Sequence, residues 1–312
     1  MLYCRENEKI GVIKMEYSDI RFPNLHITIP SVGTGITIRG FEIRFYGMII
    51  AAGLIMGLLL VQYLAKKDKK DPEVYLDYLL WAMIPAILGA RAYYVIFSWS
   101  YYKNHLNEIL NLRLGGLAIL GGVIAAVIVL VIFSKKRKLS FFDMTDMLVP
   151  GLLVGQIMGR WGNFFNREAF GGYTDSLFAM QIPVGFFEKM NRLGEIENTG
   201  LLEYTKEIVI NGANTAYIQV HPTFLYESLW NIAVLIFILY YRKRKCFTGE
   251  CFAIYLVCYG VGRFFIESLR VDQLQIANTG IAITQVVCAI MAVVSFVIII
   301  YQHKTKNRQE SI

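Results

Sequence analysis

The stretch FYGMIIAAGLIMGLLLVQYLAKKDKK, residues 45–70, decides the fold. From Phe45 to Ala65 no side chain is charged, and at roughly 1.5 Å per residue about 20 residues cross a hydrocarbon core of roughly 30 Å. The run then stops in a basic cluster, as a membrane helix does at its cytoplasmic end. Leu114 to Phe133 and Gly280 to Tyr301 are similar uncharged runs, and the composition agrees: 55% apolar and only 18% charged residues is too greasy for an ordinary soluble domain.

Four basic clusters follow apolar segments: KKDKK (66–70), KKRK (135–138), RKRK (242–245) and HKTKNR (303–308). Placing all four in the cytoplasm, with less apolar segments near 75–98, 144–165 and 251–268 and another helix at 222–241, gives seven crossings. The expected fold is an all-α polytopic membrane protein with seven transmembrane helices and a small loop-rich extracytoplasmic head. Its expected organisation is an extracytoplasmic or interfacial segment at 1–44, helices one to four at 45–165, the head at 166–221, helices five to seven at 222–302, and a cytoplasmic tail at 303–312. An odd number of crossings puts the N-terminus outside and the C-terminus inside. Alternation in LFAMQIPVGFF and TAYIQVHP suits short strands in the head, and residues 25–47 suit a strand-like or interfacial segment.

The formal charge of +7 lies beside the apolar runs and forms no face with interleaved aromatics, so no nucleic-acid partner is expected. Cys4, Cys246, Cys251, Cys258 and Cys288 show no paired framework, and His26, His105, His221 and His303 are scattered, so neither disulfides, a metal ion nor a cofactor is expected. Cys4 follows no apolar segment with a small-residue cleavage site, which argues against a cleavable signal or a lipid-modified Cys4.

Arg91, Asp146, Arg160, Glu227, Arg263 and Glu267 fall within or at the edges of the helices, where an ionised group at the centre costs roughly 2.5–3.5 kcal/mol on insertion scales. Interhelical ion pairs and snorkelling explain such residues without any function. The spacing in the sixth helix adds something more: Tyr259, Arg263, Glu267 and Arg270 are four, four and three apart and share one face, as do Arg160 and Asn163 in the fourth. Two inward guanidiniums from separate helices match the oxygens of a phosphate, with Glu168 and Glu267 orienting them. Inside a lipid-facing bundle, that phosphate is most simply a phospholipid head group. The glycines of LGGLAILGG (114–122) and the Gly155/Gly159 pair serve close helix packing or backbone approach to lipid, and HPTFLYE (221–227) reads as a helix start.

GRWGNFFNRE (159–168) resembles the signature of bacterial prolipoprotein diacylglyceryl transferases. The resemblance continues in order through FEIRFYG (41–47), GARAYYVIF (89–97), GGLAILGG (115–122), HPTFLYES (221–228) and YGVGRFFIESLR (259–270). It implies an enzyme of the bacterial cytoplasmic (inner) membrane that moves the diacylglyceryl group of phosphatidylglycerol to the lipobox cysteine of prolipoprotein signal peptides. A thioether forms and glycerol phosphate leaves, with no cofactor. By this resemblance Tyr46, Arg160, Arg263 and Glu267 are catalytic, while Arg160, Asn163, Asn166, Glu168, Tyr259 and Arg263 bind substrate. The sequence departs from the family at Leu120, where the family carries a polar ring, and at Val271, where proline is usual. With Leu120 there, either Tyr46, Tyr259 or Glu267 serves the thiol, or the position has a supporting role, or the chain is a non-catalytic or altered-specificity phospholipid-binding paralogue. A carrier would show internal repeats, and an intramembrane protease a GxSG serine or a GxGD aspartate pair; none is evident. Residues 1–14 match nothing in the family, and Met15 opens a stretch resembling a family start, so translation from Met1 or from Met15 both fit.

Overall fold

The structure is a computed structural model and describes residues 12–13, 19–111, 115–197, 199–210, 213–273 and 280–310; Cys4 and the alternative start Met15 lie outside the described residues. Among the described residues, seven helices are long and apolar enough to cross a membrane. They are α1 (Phe45–Lys67), α2 (Glu73–Phe97), α3 (Ile119–Arg137), α4 (Phe141–Asn166), α5 (Thr223–Tyr241), α6 (Glu250–Leu269) and α7 (Ile283–Glu310). Lys66 and Lys67 end α1, and Lys135, Lys136 and Arg137 end α3, where cations also offset the negative end of the helix dipole. Many large apolar side chains point outward, such as Ile84 at 63% and Val293 at 62% exposed. On a soluble protein that surface would aggregate; on a membrane protein it is the face that lipid solvates. The chain is therefore a polytopic membrane protein.

The chain divides into two compact units, the first within Met1–Gly57, Leu152–Cys246 and Ala253–Ile312, the second comprising Leu58–Gly151 and Phe247–Phe252. The first unit carries two antiparallel sheets. One joins β1 (Val12–Ile13), β4 (Gly35–Ile38) and β5 (Phe41–Arg44) in the order β1-β4-β5. The other runs β3-β2-β6-β8-β7, from β2 (Ile20–Phe22), β3 (Ile27–Ile29), β6 (Met180–Pro183), β7 (Lys206–Ile210) and β8 (Ala213–Val220). The head is thus more ordered than a loop-rich reading suggests, because the segment before α1 supplies two of its strands, with Arg21 opposite Gln181. Ile20, Ile182, Ile218 and Val220 pack with Phe186, Phe187 and Ile196 in its core. Burying each such side chain is worth roughly 1.5–3 kcal/mol, enough to repay ordering a short strand. The buried amide of Gln219 is satisfied by the Thr174 carbonyl at 2.6 Å and by the Gln181 side chain at 3.0 Å.

In the second unit α2 and α3 pack closely because glycine lets them. A Cβ on Gly89 would lie 2.8 Å from the Gly121 carbonyl oxygen, and one on Gly121 would lie 2.4 Å from that of Gly89. Arg91 is buried, and its guanidinium donates to the carbonyls of Glu108 (2.7 Å), Ile109 (2.7 Å), Asn111 (3.3 Å), Gly115 (2.7 Å) and Gly116 (3.0 Å). Backbone dipoles rather than a carboxylate offset the charge, and the arginine ties the connection between α2 and α3 into place. Asp146 is structural as well: its carboxylate accepts from the amides of Gly249 (2.8 Å) and Phe252 (3.0 Å) and so caps the start of α6. Lys70 pairs with Asp143, and Arg137 with Asp77 at 2.5 Å.

Candidate functional site

The site lies in the first unit, where the ends of α4 and α6 meet the start of α5. Three glycines set the spacing. A Cβ on Gly162 would fall 2.6 Å from the Tyr46 ring, so that ring lies flush against α4. A Cβ on Gly260 would meet the Cys288 carbonyl of α7 at 2.7 Å, and one on Gly262 would meet the Trp230 indole of α5 at 2.2 Å. The indole N–H donates to the Cys258 carbonyl at 2.9 Å, which fixes α5 against α6. These contacts hold Tyr46, Arg160 and Arg263 in one neighbourhood, since Arg160 and Asn163 share a face of α4, and Tyr259, Arg263 and Glu267 share a face of α6.

The arginines converge on a residue from a third helix. Arg160 Nη2 lies 2.6 Å from Glu227 Oε1, and Arg263 Nη1 lies 3.0 Å from Glu227 Oε2. Glu227, one turn into α5, is 3% exposed and bridges α4 and α6. The Arg160 contact is close, yet Glu227 Oε1 accepts no well-directed hydrogen bond, so this is an ion pair by distance alone. The other amine of Arg263 lies 2.5 Å from Glu267 Oε2, also without hydrogen-bond direction, while Glu267 Oε1 accepts from the Thr284 hydroxyl at 2.5 Å. Arg160, Glu227, Arg263 and Glu267 therefore form a chain of alternating charge, as burial in a membrane demands.

Glu168 acts at one remove. Its Oε1 accepts from the amides of Asn163 (2.9 Å) and Asn166 (3.2 Å), and the Asn163 oxygen in turn accepts from Arg160 Nη1 at 3.3 Å. The carboxylate fixes which end of the Asn163 amide faces the guanidinium. Tyr259 lies within electrostatic reach of Glu227, Arg263 and Arg160, and Tyr46 within reach of Glu168 and Arg160. The structure thus brings Tyr46, Arg160, Asn163, Asn166, Glu168, Tyr259, Arg263 and Glu267 into one neighbourhood, whereas Arg91 and Asp146 belong to the second unit.

The rim beside the head is built just as tightly. The Gly171 N–H donates to the His221 carbonyl at 3.0 Å, and a Cβ on Gly171 would sit 2.7 Å from both the His221 Cβ and the Leu269 carbonyl oxygen. Arg270 forks onto Asp272 at 2.8 and 2.6 Å. Burial opposes both charges, but the hydrogen bonds and charge pairing outweigh it, holding Asp272 below the usual carboxylate range and raising Arg270. Burial pulls His221 below its ordinary value. Arg167, 1% exposed, donates to the Phe165 carbonyl at 2.8 Å and to the Val32 carbonyl, and lies over the Phe186 ring. Burial, with Arg192 nearby, lowers its pKa to about 10. A cavity of about 540 Å³ adjoins this rim, lined mainly by apolar groups of Ile29, Val32, Ile36, Phe45, Phe164 and Phe165.

Glu227 as a bridge is the residue that sequence reasoning overlooked. Its cost within a helix was visible, but HPTFLYE read as a helix start and a stretch of family resemblance with no role for Glu227, and the partner of a lone acid cannot be read from its own helix. Leu120 is the second residue of α3, in the other unit, and is 55% exposed.

Residues 34–301 match the family model described as prolipoprotein diacylglyceryl transferase. Proteins named phosphatidylglycerol–prolipoprotein diacylglyceryl transferase are similar to most of the chain. That of Listeria innocua is 40% identical over 87% of this chain and 90% of its own length. That of Bacillus cereus is 40% identical over 85% and 89%, and that of Thermosynechococcus vestitus 37% identical over 81% and 86%.

Proposed function

Because the chain belongs to the prolipoprotein diacylglyceryl transferase family, we propose that it transfers the diacylglyceryl group of phosphatidylglycerol to the lipobox cysteine of a prolipoprotein. The observation that supports this most is the convergence of Arg160 and Arg263, from different helices, on the two oxygens of one carboxylate. A phosphodiester also presents two oxygens on one centre, and two guanidiniums suit it better than two ammoniums.

The substrate thiol is the nucleophile. Its sulfur bonds to the glycerol carbon, the bond from that carbon to the phosphate oxygen breaks, and the electron pair leaves on glycerol phosphate. Charge gathers on the departing phosphate, where fixed arginines stabilise it without reorganising. In this reading Glu267 aims Arg263, while Asn163, Asn166 and Glu168 aim Arg160, and Tyr46 and Tyr259 offer hydroxyls beside the reacting groups. Leu120 favours a second reading, a lipid-binding paralogue without transfer. Incubating purified protein with phosphatidylglycerol and a lipobox peptide, then searching for the thioether by mass spectrometry, separates the two. The mass of the transferred group is expected on the cysteine peptide and not on its serine counterpart; its absence from the cysteine peptide would favour the paralogue.

The protein sits in the bacterial cytoplasmic membrane with the head outside and the basic ends of α1 and α3 inside, because that orientation retains cations in the cytoplasm. In a background free of native cysteines, Glu188→Cys should react with an impermeant thiol reagent in intact cells, and Lys136→Cys should not. The reverse pattern would overturn the orientation.

A further inference from the structure

We infer that Glu227 is a resident anion which the lipid phosphate displaces, and that its freed carboxylate then takes the proton of the substrate thiol. This rests on the transferase reading above. Glu227 already occupies the place between the arginines that the phosphate needs, one oxygen to each guanidinium. Among the described residues, no neutral donor supports its carboxylate, and one of its oxygens lacks a directed hydrogen bond. Glu267 differs, since the Thr284 hydroxyl donates to it at 2.5 Å and Arg270 lies 3.9 Å away. When a phosphate claims Arg160 and Arg263, Glu227 loses both partners while Glu267 keeps others.

The charge count gives this displacement a consequence. Within this chain of four groups two arginines balance two glutamates, so a phosphodiester adds one uncompensated negative charge. The displaced Glu227 carboxylate stays ionised as the lipid binds, and the proton that restores neutrality is the one it takes from the thiol. The charged and titratable groups facing Glu227 are Arg160 from α4, Tyr255, Tyr259, Arg263 and Glu267 from α6, Arg270 just beyond α6, and Cys288 from α7. In the transfer step the S–H proton passes to Glu227 as the C–S bond forms and the C–O bond breaks. Glycerol phosphate departs, Glu227 releases the proton, and its bridge to the arginines re-forms. Leu120, which has no proton-accepting group, is then no obstacle to the chemistry.

The two halves of this inference respond to pH in opposite directions. Acid should protonate Glu227 and so tighten lipid binding, while removing the acceptor and slowing transfer by bound lipid. The test uses purified full-length protein in detergent, a short-chain phosphatidylglycerol and a lipobox peptide, with Kd and kcat measured from mildly acidic to mildly alkaline pH. For the natural protein, Kd and kcat should both level off at the alkaline end, where Glu227 in the lipid complex is ionised, and both should fall as the pH drops, each toward tenfold per unit. Glu227→Gln should bind the lipid with a pH-independent Kd no weaker than natural, and should lose about 100-fold to 10,000-fold in kcat along with the acid limb. Glu267→Gln should keep the pH trend in Kd. If Glu227→Gln does not fold, the natural protein still decides: a Kd that does not move with pH overturns the inference. Transfer by Glu227→Gln at the natural rate and with the natural pH profile would overturn it too, while leaving the transferase reading intact. No thioether from the natural protein at any pH would sink that reading, and this inference with it.

Discussion

Replacing Arg263 with Lys keeps the charge and removes the fork, and the structure sets the size of the loss. One guanidinium amine meets Glu227 at 3.0 Å and the other meets Glu267 at 2.5 Å. A single ammonium reaches one carboxylate well and leaves the other short of a partner. Removing one partner of a buried pair outright costs about 3–5 kcal/mol, and here a displaced cation remains, so roughly half of that, about 1.5–2.5 kcal/mol, is expected. At about 1.4 kcal/mol per decade this is a loss of roughly 10-fold to 60-fold if the strain is felt in the transition state. Among the described residues Arg160 makes one ion pair and one long hydrogen bond, at 2.6 and 3.3 Å, and it is the more exposed of the two. Arg160→Lys should therefore destabilise the fold less than Arg263→Lys, although both should lose transfer. The assay pairs the initial rate of thioether formation with thermal unfolding of the same detergent preparation. Near-natural turnover in both Lys variants, or a larger loss of stability in Arg160→Lys, would refute the reasoning.

Leu120→His should preserve or raise activity, because it restores a proton acceptor at a position where the natural chain manages without one; a loss of more than about tenfold in folded protein would argue that this position packs rather than reacts. Gly171→Ala should destabilise the junction of head and α6 by about 1–3 kcal/mol, since its new methyl would meet the Leu269 carbonyl oxygen at 2.7 Å, and unchanged thermal unfolding would contradict the close approach. Asp272, with its pKa depressed, stabilises the Arg270 pair above its unfolded value near ~3.9 and loses that contribution as pH falls through its folded value. Hydrogen-exchange protection in residues 269–273, taken relative to the intrinsic rate at each pH, should accordingly fall in acid, and Asp272→Asn should abolish that acid step; an acid step persisting in Asp272→Asn would assign it to another group.

The membrane helices were legible because their cause is local. An uncharged run such as Phe45 to Ala65 closed by a basic cluster satisfies its own backbone and meets lipid whatever its neighbours do. The polar stripe on α6 was legible for a similar reason, as four-residue spacing fixes which side chains share a face. What could not be read was pairing across the chain. The register of Arg21 against Gln181 depends on two segments far apart in sequence, and the carbonyl partners of Arg91 are backbone groups that carry no residue signature. The bridge at Glu227 belongs to the same class, because three helices must assemble before its two partners exist.

Counting both products of one reaction tests the central claim most directly. Purified natural protein, Leu120 unchanged, would be given phosphatidylglycerol and a lipobox peptide, and the thioether and glycerol phosphate quantified together over time. The two should appear in equal amounts, and both should vanish when serine replaces the peptide cysteine. Lipid that binds but yields neither product, or glycerol phosphate released without thioether, would contradict the claim that this chain is a transferase.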